Sequence, residues 1–205
     1  IKFAEYFHPD ILPNLSTAKS PQQMFGALAK TYYAQKIGKK PKDIVVVSVM
    51  PCTAKKFEAQ RPEMNCSGVQ DVDAVLTTRE LGRMITQAGI DFMALPDEQM
   101  DQPMGLGSGA ADIFANTGGV MEAALRTVWC VVTGQPFPFA KLHVALIAGL
   151  EGVKEVSVTI PKTVPKWKFL EGVTVKLAVA HGLANADRLV RKIKAGEASY
   201  HFVEV

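Results

Sequence analysis

Val45-Val46-Val47-Ser48-Val49-Met50-Pro51-Cys52-Thr53-Ala54-Lys55-Lys56-Phe57-Glu58 is the stretch from which the fold is read. Between Ile44 and Met50 only Ser48 is polar, which predicts a strand covered on both faces, as in a parallel sheet flanked by helices. Pro51 stops the strand because proline has no N–H to give to a ladder. Cys52 follows beyond the strand's carboxyl end, where open α/β sheets place their chemistry. Thr53 to Gln60 reads as a short helix. The Cys52 thiol then sits near a helix start, a setting that favours the thiolate that a metal or iron–sulfur cluster needs. A buried structural cysteine beside a solvated lysine pair fits this window equally well.

Upstream, Ser20-Pro21-Gln22-Gln23 predicts a helix start, with Ser20 as N-cap, Pro21 at N1 and Gln23 closing a capping box. That helix runs to about Ile37 and ends at Gly38. Downstream, residues 61–71 form a loop holding Cys66, and residues 72–76 form a second strand. Thr77-Thr78-Arg79-Glu80 is a further capping box, opening a helix to about Ala88. Residues 91–104 are polar and irregular. Gly105-Leu106-Gly107-Ser108-Gly109 and Asn116-Thr117-Gly118-Gly119 are runs that let a backbone approach something closely, and Val120 to Val132 is a helix. These glycines match neither dinucleotide nor P-loop spacing, so nucleotide binding is disfavoured. Residues 144–148, 153–160 and 173–179 read as strands, with a local antiparallel pair expected between 144 and 175. His181-Gly182 forms a possible site loop, Ala184 to Lys194 a helix, and Tyr200 to Val205 a last strand. Strands alternating with helices give an α/β class with largely parallel pairing.

The 205 residues suit one large domain or two small lobes. At 48% apolar and 21% charged residues the composition is that of a globular protein, and a net charge of +3 is too mild to argue for nucleic acid. No apolar run reaches the roughly 18 residues of a membrane span. Cys52, Cys66 and Cys130 are odd in number and far apart, which argues against a disulfide framework and for a reducing compartment, the cytoplasm. Three cysteines do not complete a four-thiolate cluster. The helical pattern at Ile1 and the apolar run ending at Val205 read as cut from inside a domain, so a fragment is expected.

Three stretches together resemble one family: Ser16-Thr17-Ala18-Lys19-Ser20-Pro21-Gln22-Gln23, then Met50-Pro51-Cys52-Thr53-Ala54-Lys55-Lys56-Phe57-Glu58, then Thr117-Gly118-Gly119-Val120-Met121-Glu122-Ala123-Ala124-Leu125-Arg126. They are similar to the catalytic H-cluster domain of iron-only (FeFe) hydrogenases. The resemblance runs the length of the chain and includes Thr77-Thr78-Arg79-Glu80-Leu81 and Tyr200-His201-Phe202-Val203-Glu204. It implies mostly parallel sheets flanked by helices in two lobes, and an enzyme that reversibly reduces protons to dihydrogen. In the family a 4Fe–4S cubane is held by four cysteines, one of them bridging to a two-iron subcluster with CO, cyanide and a dithiol bridge. By the resemblance, Cys52 is a cubane ligand and Lys55 hydrogen-bonds a cyanide. Gln22 and Pro21 line the two-iron pocket, Met50 and Phe114 are apolar walls, and Ser16 lies on the proton path. Ala115 stands where the family usually has glycine, and Gly118 belongs to the glycine loop that approaches the cofactor. Taken as residues alone, Lys55 reads also as a surface lysine, Met50 and Phe114 as core, and Ser16 as a turn serine.

The family's Thr-Ser-Cys-Cys-Pro and Met-Ala-Cys-x-Gly-Gly-Cys motifs are absent from the sequence, so the H-cluster is not expected to assemble on these residues alone. Cys66 and Cys130 match no ligand motif. The implied partners are ferredoxin or a nicotinamide-linked electron-transfer subunit and the H-cluster maturation proteins, with a periplasmic location known for some members. Two other readings share the fold: a hydrogenase-like iron–sulfur assembly protein and a sensory, slowly turning regulator.

Overall fold

The computed structural model describes residues 1–114, 116–138, 145–146 and 152–205. They fall into two units, residues Ile1–Leu106 and Gly107–Val205.

The first unit opens with helix α1 (Lys2–Phe7) and a 3-10 turn over Pro9–Asn14. Helix α2 (Pro21–Leu28) does start with proline at N1, and it continues through a π-helical turn, Ala29–Tyr33, into α3 (Ala34–Lys36). The capping box at Ser20 is not made. Gln23 is turned inward, 0% exposed, instead of reaching back to the Ser20 N–H. Strand β1 (Val47–Met50) pairs in parallel with β2 (Ala74–Thr77), with Ser48 opposite Val75 and Met50 opposite Thr77. The covered-strand expectation fails on one side. Val46 and Ser48 are buried, while Val45, Val47 and Val49 are 74%, 51% and 43% exposed. Neighbouring side chains on a strand point to opposite faces, and only one face meets the cluster of Ala29, Val46, Ala59, Val72 and Val75.

A buried charge ties this unit together. Lys30, 2% exposed, donates from Nζ to the Gln70 carbonyl at 2.6 Å and to Asp73 Oδ1 at 2.7 Å. Asp73 Oδ2 accepts the Val46 N–H at 2.7 Å, so one carboxylate joins the π-helical turn to the start of β1. A buried ammonium is tolerated only when paired and hydrogen-bonded in this way.

Helix α4 (Ala54–Ala59) follows β1, and α5 (Thr78–Gln87) follows β2. The capping box at α5 forms as the sequence predicts: Glu80 N–H donates to Thr77 Oγ1 at 3.2 Å, and Thr77 N–H donates to Glu80 Oε2 at 2.7 Å. Lys56 adds an ion pair to Glu80 at 2.9 Å and a bond to the Val75 carbonyl at 2.8 Å, seating α4 on β2 and α5. The Thr77 N–H and the Lys56 ammonium pull the Glu80 carboxyl from 4.5 down to about 2. A depressed folded pKa stabilises above the unfolded value, so this contribution is complete above about pH 4.5 and is lost as pH falls toward 2. Thr77→Ala is expected to cost about 1 kcal/mol in denaturant unfolding at neutral pH, the usual worth of an N-cap. The same variant should raise the Glu80 midpoint in a carboxylate NMR titration.

The second unit holds α6 (Ala110–Phe114), α7 (Gly119–Thr133) and α8 (Leu183–Lys194) around a four-stranded sheet. Its strands are β3 (Ala145–Leu146), β4 (Val153–Thr159), β5 (Thr174–Ala180) and β6 (Phe202–Glu204), in that order. The pairings β3–β4 and β4–β5 are antiparallel and β5–β6 is parallel, so this sheet is mixed while the first is parallel. The local antiparallel pair expected between 144 and 175 is β4 with its neighbours. Val144, Ile147 and Ala148 of the expected strand, and Gly149 after it, lie outside the described residues. The two faces of β5 divide the core. Leu177 and Val179 meet Met121 and Trp129 of α7, while Ala178 and Ala180 meet Ala186 and Leu189 of α8. The small residues let α8 approach closely; the large ones fill the space under α7.

Candidate functional site

In the first unit the site begins where β1 ends. Pro51 and Cys52 leave the strand, Thr53 is the N-cap of α4, and the Lys55 N–H bonds the Cys52 carbonyl at 3.3 Å. The Cys52 thiol is exposed. At the second position of α4, the Lys55 ammonium lies 3.0 Å from Glu58 Oε2, at i,i+3 spacing. Gln22, from the start of α2, reaches the same carboxylate: its Nε2 donates to Glu58 Oε2 at 3.1 Å and to the Lys55 carbonyl at 3.3 Å. Gln22 is 5% exposed, and its other amide atom, Oε1, is buried with no partner among the described residues. Burial raises the Glu58 carboxyl, but the nearby Ser20 hydroxyl, the hydrogen bonds from Lys55 and Gln22 and the Lys55 charge outweigh it and hold it below the usual range. Sequence reasoning did not single out Glu58, which the structure brings to Lys55 and Gln22. The signal is present in the i,i+3 spacing of Lys55 and Glu58 on one helix face.

The other first-unit candidates are placed less tightly. Met50 is half-buried at the end of β1, and Pro21 is exposed at the first position of α2. Ser16 is exposed and its Oγ accepts the Ala18 N–H at 3.2 Å, the local bond of a serine turn. Cys66 lies on the loop after α4, where the Lys19 ammonium donates to its sulfur at 3.0 Å.

In the second unit, Phe114 closes α6 and is 38% exposed, so it is not a core residue of that unit. Ala115 lies outside the described residues. Gly118 is the N-cap of α7, in a left-handed conformation with φ of +87°.

Among the described residues no group of three or more metal-ligating side chains is assembled. The donors present fit one corner of a thiolate-held cluster: an exposed thiol, an ammonium two positions into the following helix, and a buried amide oxygen left without a protein partner. Among the described residues no helix is long and apolar enough to cross a membrane.

The family model described as "Iron only hydrogenase large subunit, C-terminal domain" matches residues 1–205. The NADP-reducing hydrogenase subunit HndD of Solidesulfovibrio fructosivorans is 47% identical over 205 residues, which is 100% of this chain and 33% of that protein. The periplasmic [Fe] hydrogenase large subunit of Nitratidesulfovibrio vulgaris is 47% identical over 203 residues, 99% of this chain and 45% of that protein. More distant relatives include cytosolic iron–sulfur assembly components at 33–37% identity. Among solved structures, the apo [FeFe]-hydrogenase HydA1 variant C377H from Chlamydomonas reinhardtii matches with a TM-score of 0.83 and 41% identity, over 98% of this chain and 55% of that one. The chain therefore spans a third to about half of these relatives, and within that span it belongs to the iron-only hydrogenase large-subunit family, in its C-terminal domain.

Proposed function

We propose that these residues form the central part of the catalytic domain of an iron-only hydrogenase that reversibly reduces protons to dihydrogen. The observation that carries this reading is the convergence of Lys55, Gln22 and Glu58 beside Cys52, at the motif that the family uses for its cofactor. Cys52 would hold the 4Fe–4S cubane as one of four thiolates, the others coming from sequence outside residues 1–205. When bound, the H-cluster supplies the redox centre and the open iron position at which protons are reduced.

This chain's own residues do the rest of the work. Glu58 holds the Lys55 ammonium, which is then ready to donate a charge-assisted hydrogen bond to a cyanide nitrogen. Gln22 braces the same carboxylate and keeps a buried amide oxygen without a protein partner among the described residues. By the family resemblance alone, Met50 and Phe114 would be apolar walls, Pro21, Ala115 and Gly118 lining positions, and Ser16 a proton-path hydroxyl. Electrons come from ferredoxin or from a nicotinamide-linked subunit. The name of the Solidesulfovibrio relative favours the second, and cofactor insertion needs the H-cluster maturation proteins. Cysteine usage supports a reducing compartment such as the cytoplasm, although the Nitratidesulfovibrio relative is named periplasmic.

The test is gas chromatography on the full-length protein, matured and purified without oxygen and supplied with reduced viologen. Dihydrogen should accumulate. An assembly protein would produce none and would lack CO and cyanide infrared bands. A slow regulator would show the bands with little gas, and either result would overturn the catalytic reading.

A further inference from the structure

Helix α7 has no cap of its own. Its N-cap is Gly118, which has no side chain, and its N3 residue is Met121, which has no acceptor. In a capping box the N-cap and N3 side chains satisfy each other's backbone N–H groups. Here both tasks fall to one residue more than eighty positions away. Glu204, on β6, accepts the Gly118 N–H at 2.9 Å through Oε1 and the Met121 N–H at 2.7 Å through Oε2. A negative group at this end also complements the helix dipole.

The surrounding backbone leaves little slack. Glu204 pairs with Val179 across β5–β6, and a Cβ on Gly118 would lie 3.3 Å from the Val179 side chain. A Cβ on Gly119 would lie 1.8 Å from the Ile113 carbonyl oxygen, so the turn from α6 into α7 is closed backbone against backbone. On the far side of the turn Thr117 Oγ1 sits 3.0 Å from His181 Nδ1. The sheet thus grips the Thr117-Gly118-Gly119 turn, and Glu204 supplies two charge-assisted contacts.

We propose that Glu204 is a positioning residue: its carboxylate fixes the glycine turn at the start of α7, and with it the backbone that the cofactor would meet. This rests on the hydrogenase reading. Both arms of the test use the matured full-length protein. Hydrogen-exchange mass spectrometry on the segment 116–124 should show about tenfold faster exchange in Glu204→Ala. Glu204→Gln keeps the shape and one acceptor, and should give a smaller rise. Infrared spectra should show displaced or broadened CO and cyanide bands in Glu204→Ala, with the cubane electron-paramagnetic signal retained. Unchanged exchange in both variants overturns the clamp, and faster exchange with unmoved infrared bands overturns its role toward the cofactor. If Glu204→Ala fails to fold, Glu204→Gln decides on the same two readouts. Wild-type protein without any CO or cyanide bands would defeat the hydrogenase reading instead, and the exchange arm would then stand on its own.

Discussion

In the full-length protein, Cys52→Ala is expected to abolish the cubane electron-paramagnetic signal and hydrogen evolution together. The sulfur stands at the end of β1, held by Pro51 on one side and by the first turn of α4 on the other. A four-thiolate cluster has no spare ligand, so removing one leaves an iron with an open position and a cluster that is lost or rebuilt as a smaller species. Cys66 is exposed on a separate loop, and Cys130 is exposed in the last turn of α7. Neither matches a ligand motif of the family. Cys66→Ala and Cys130→Ala should therefore keep both signals. Retention of both in Cys52→Ala would remove this residue from the ligand set.

Lys55→Met should lower turnover by about 100-fold or more, the size of effect seen when a preorganised donor is removed from a reacting centre. The substitution keeps the length and apolar stem of the side chain and removes the ammonium. It leaves the Glu58 carboxylate without its ion pair, but Gln22 still donates to it, and the side chain of Glu58 is 21% exposed. Folding should then be little changed while the chemistry suffers. Turnover equal to wild type after maturation would take Lys55 out of the site.

The strongest local signals are legible in the amino-acid sequence itself. The Thr77–Glu80 capping box is a four-residue interaction and forms as its spacing predicts. The α7 helix, the end of β1 at Pro51 and the β4–β5 strands also follow from spacing alone. Two local expectations fail for definable reasons. An apolar run does not separate a strand covered on two faces from one covered on one, and β1 exposes Val47 and Val49. Ser20 and Gln23 have capping-box spacing, yet Gln23 is drawn into the interior, a tertiary preference that spacing does not carry. The remaining features are long-range. The chain does not announce that Gln22 reaches Glu58 across 36 positions, or that Glu204 caps a helix that begins at Gly119. A missing cap is visible in Gly118 and Met121; the residue that replaces it is not. The candidate site is read largely from motifs that resemble a family, and the geometry brings Glu58 to Lys55 and Gln22 of those motifs.

The most direct measurement is the infrared spectrum of the matured full-length protein, wild type against Lys55→Met. The account predicts CO and cyanide bands in both, with one cyanide band displaced when the ammonium is removed, because that ligand loses its charge-assisted hydrogen bond. Superimposable cyanide bands in the two proteins would contradict it.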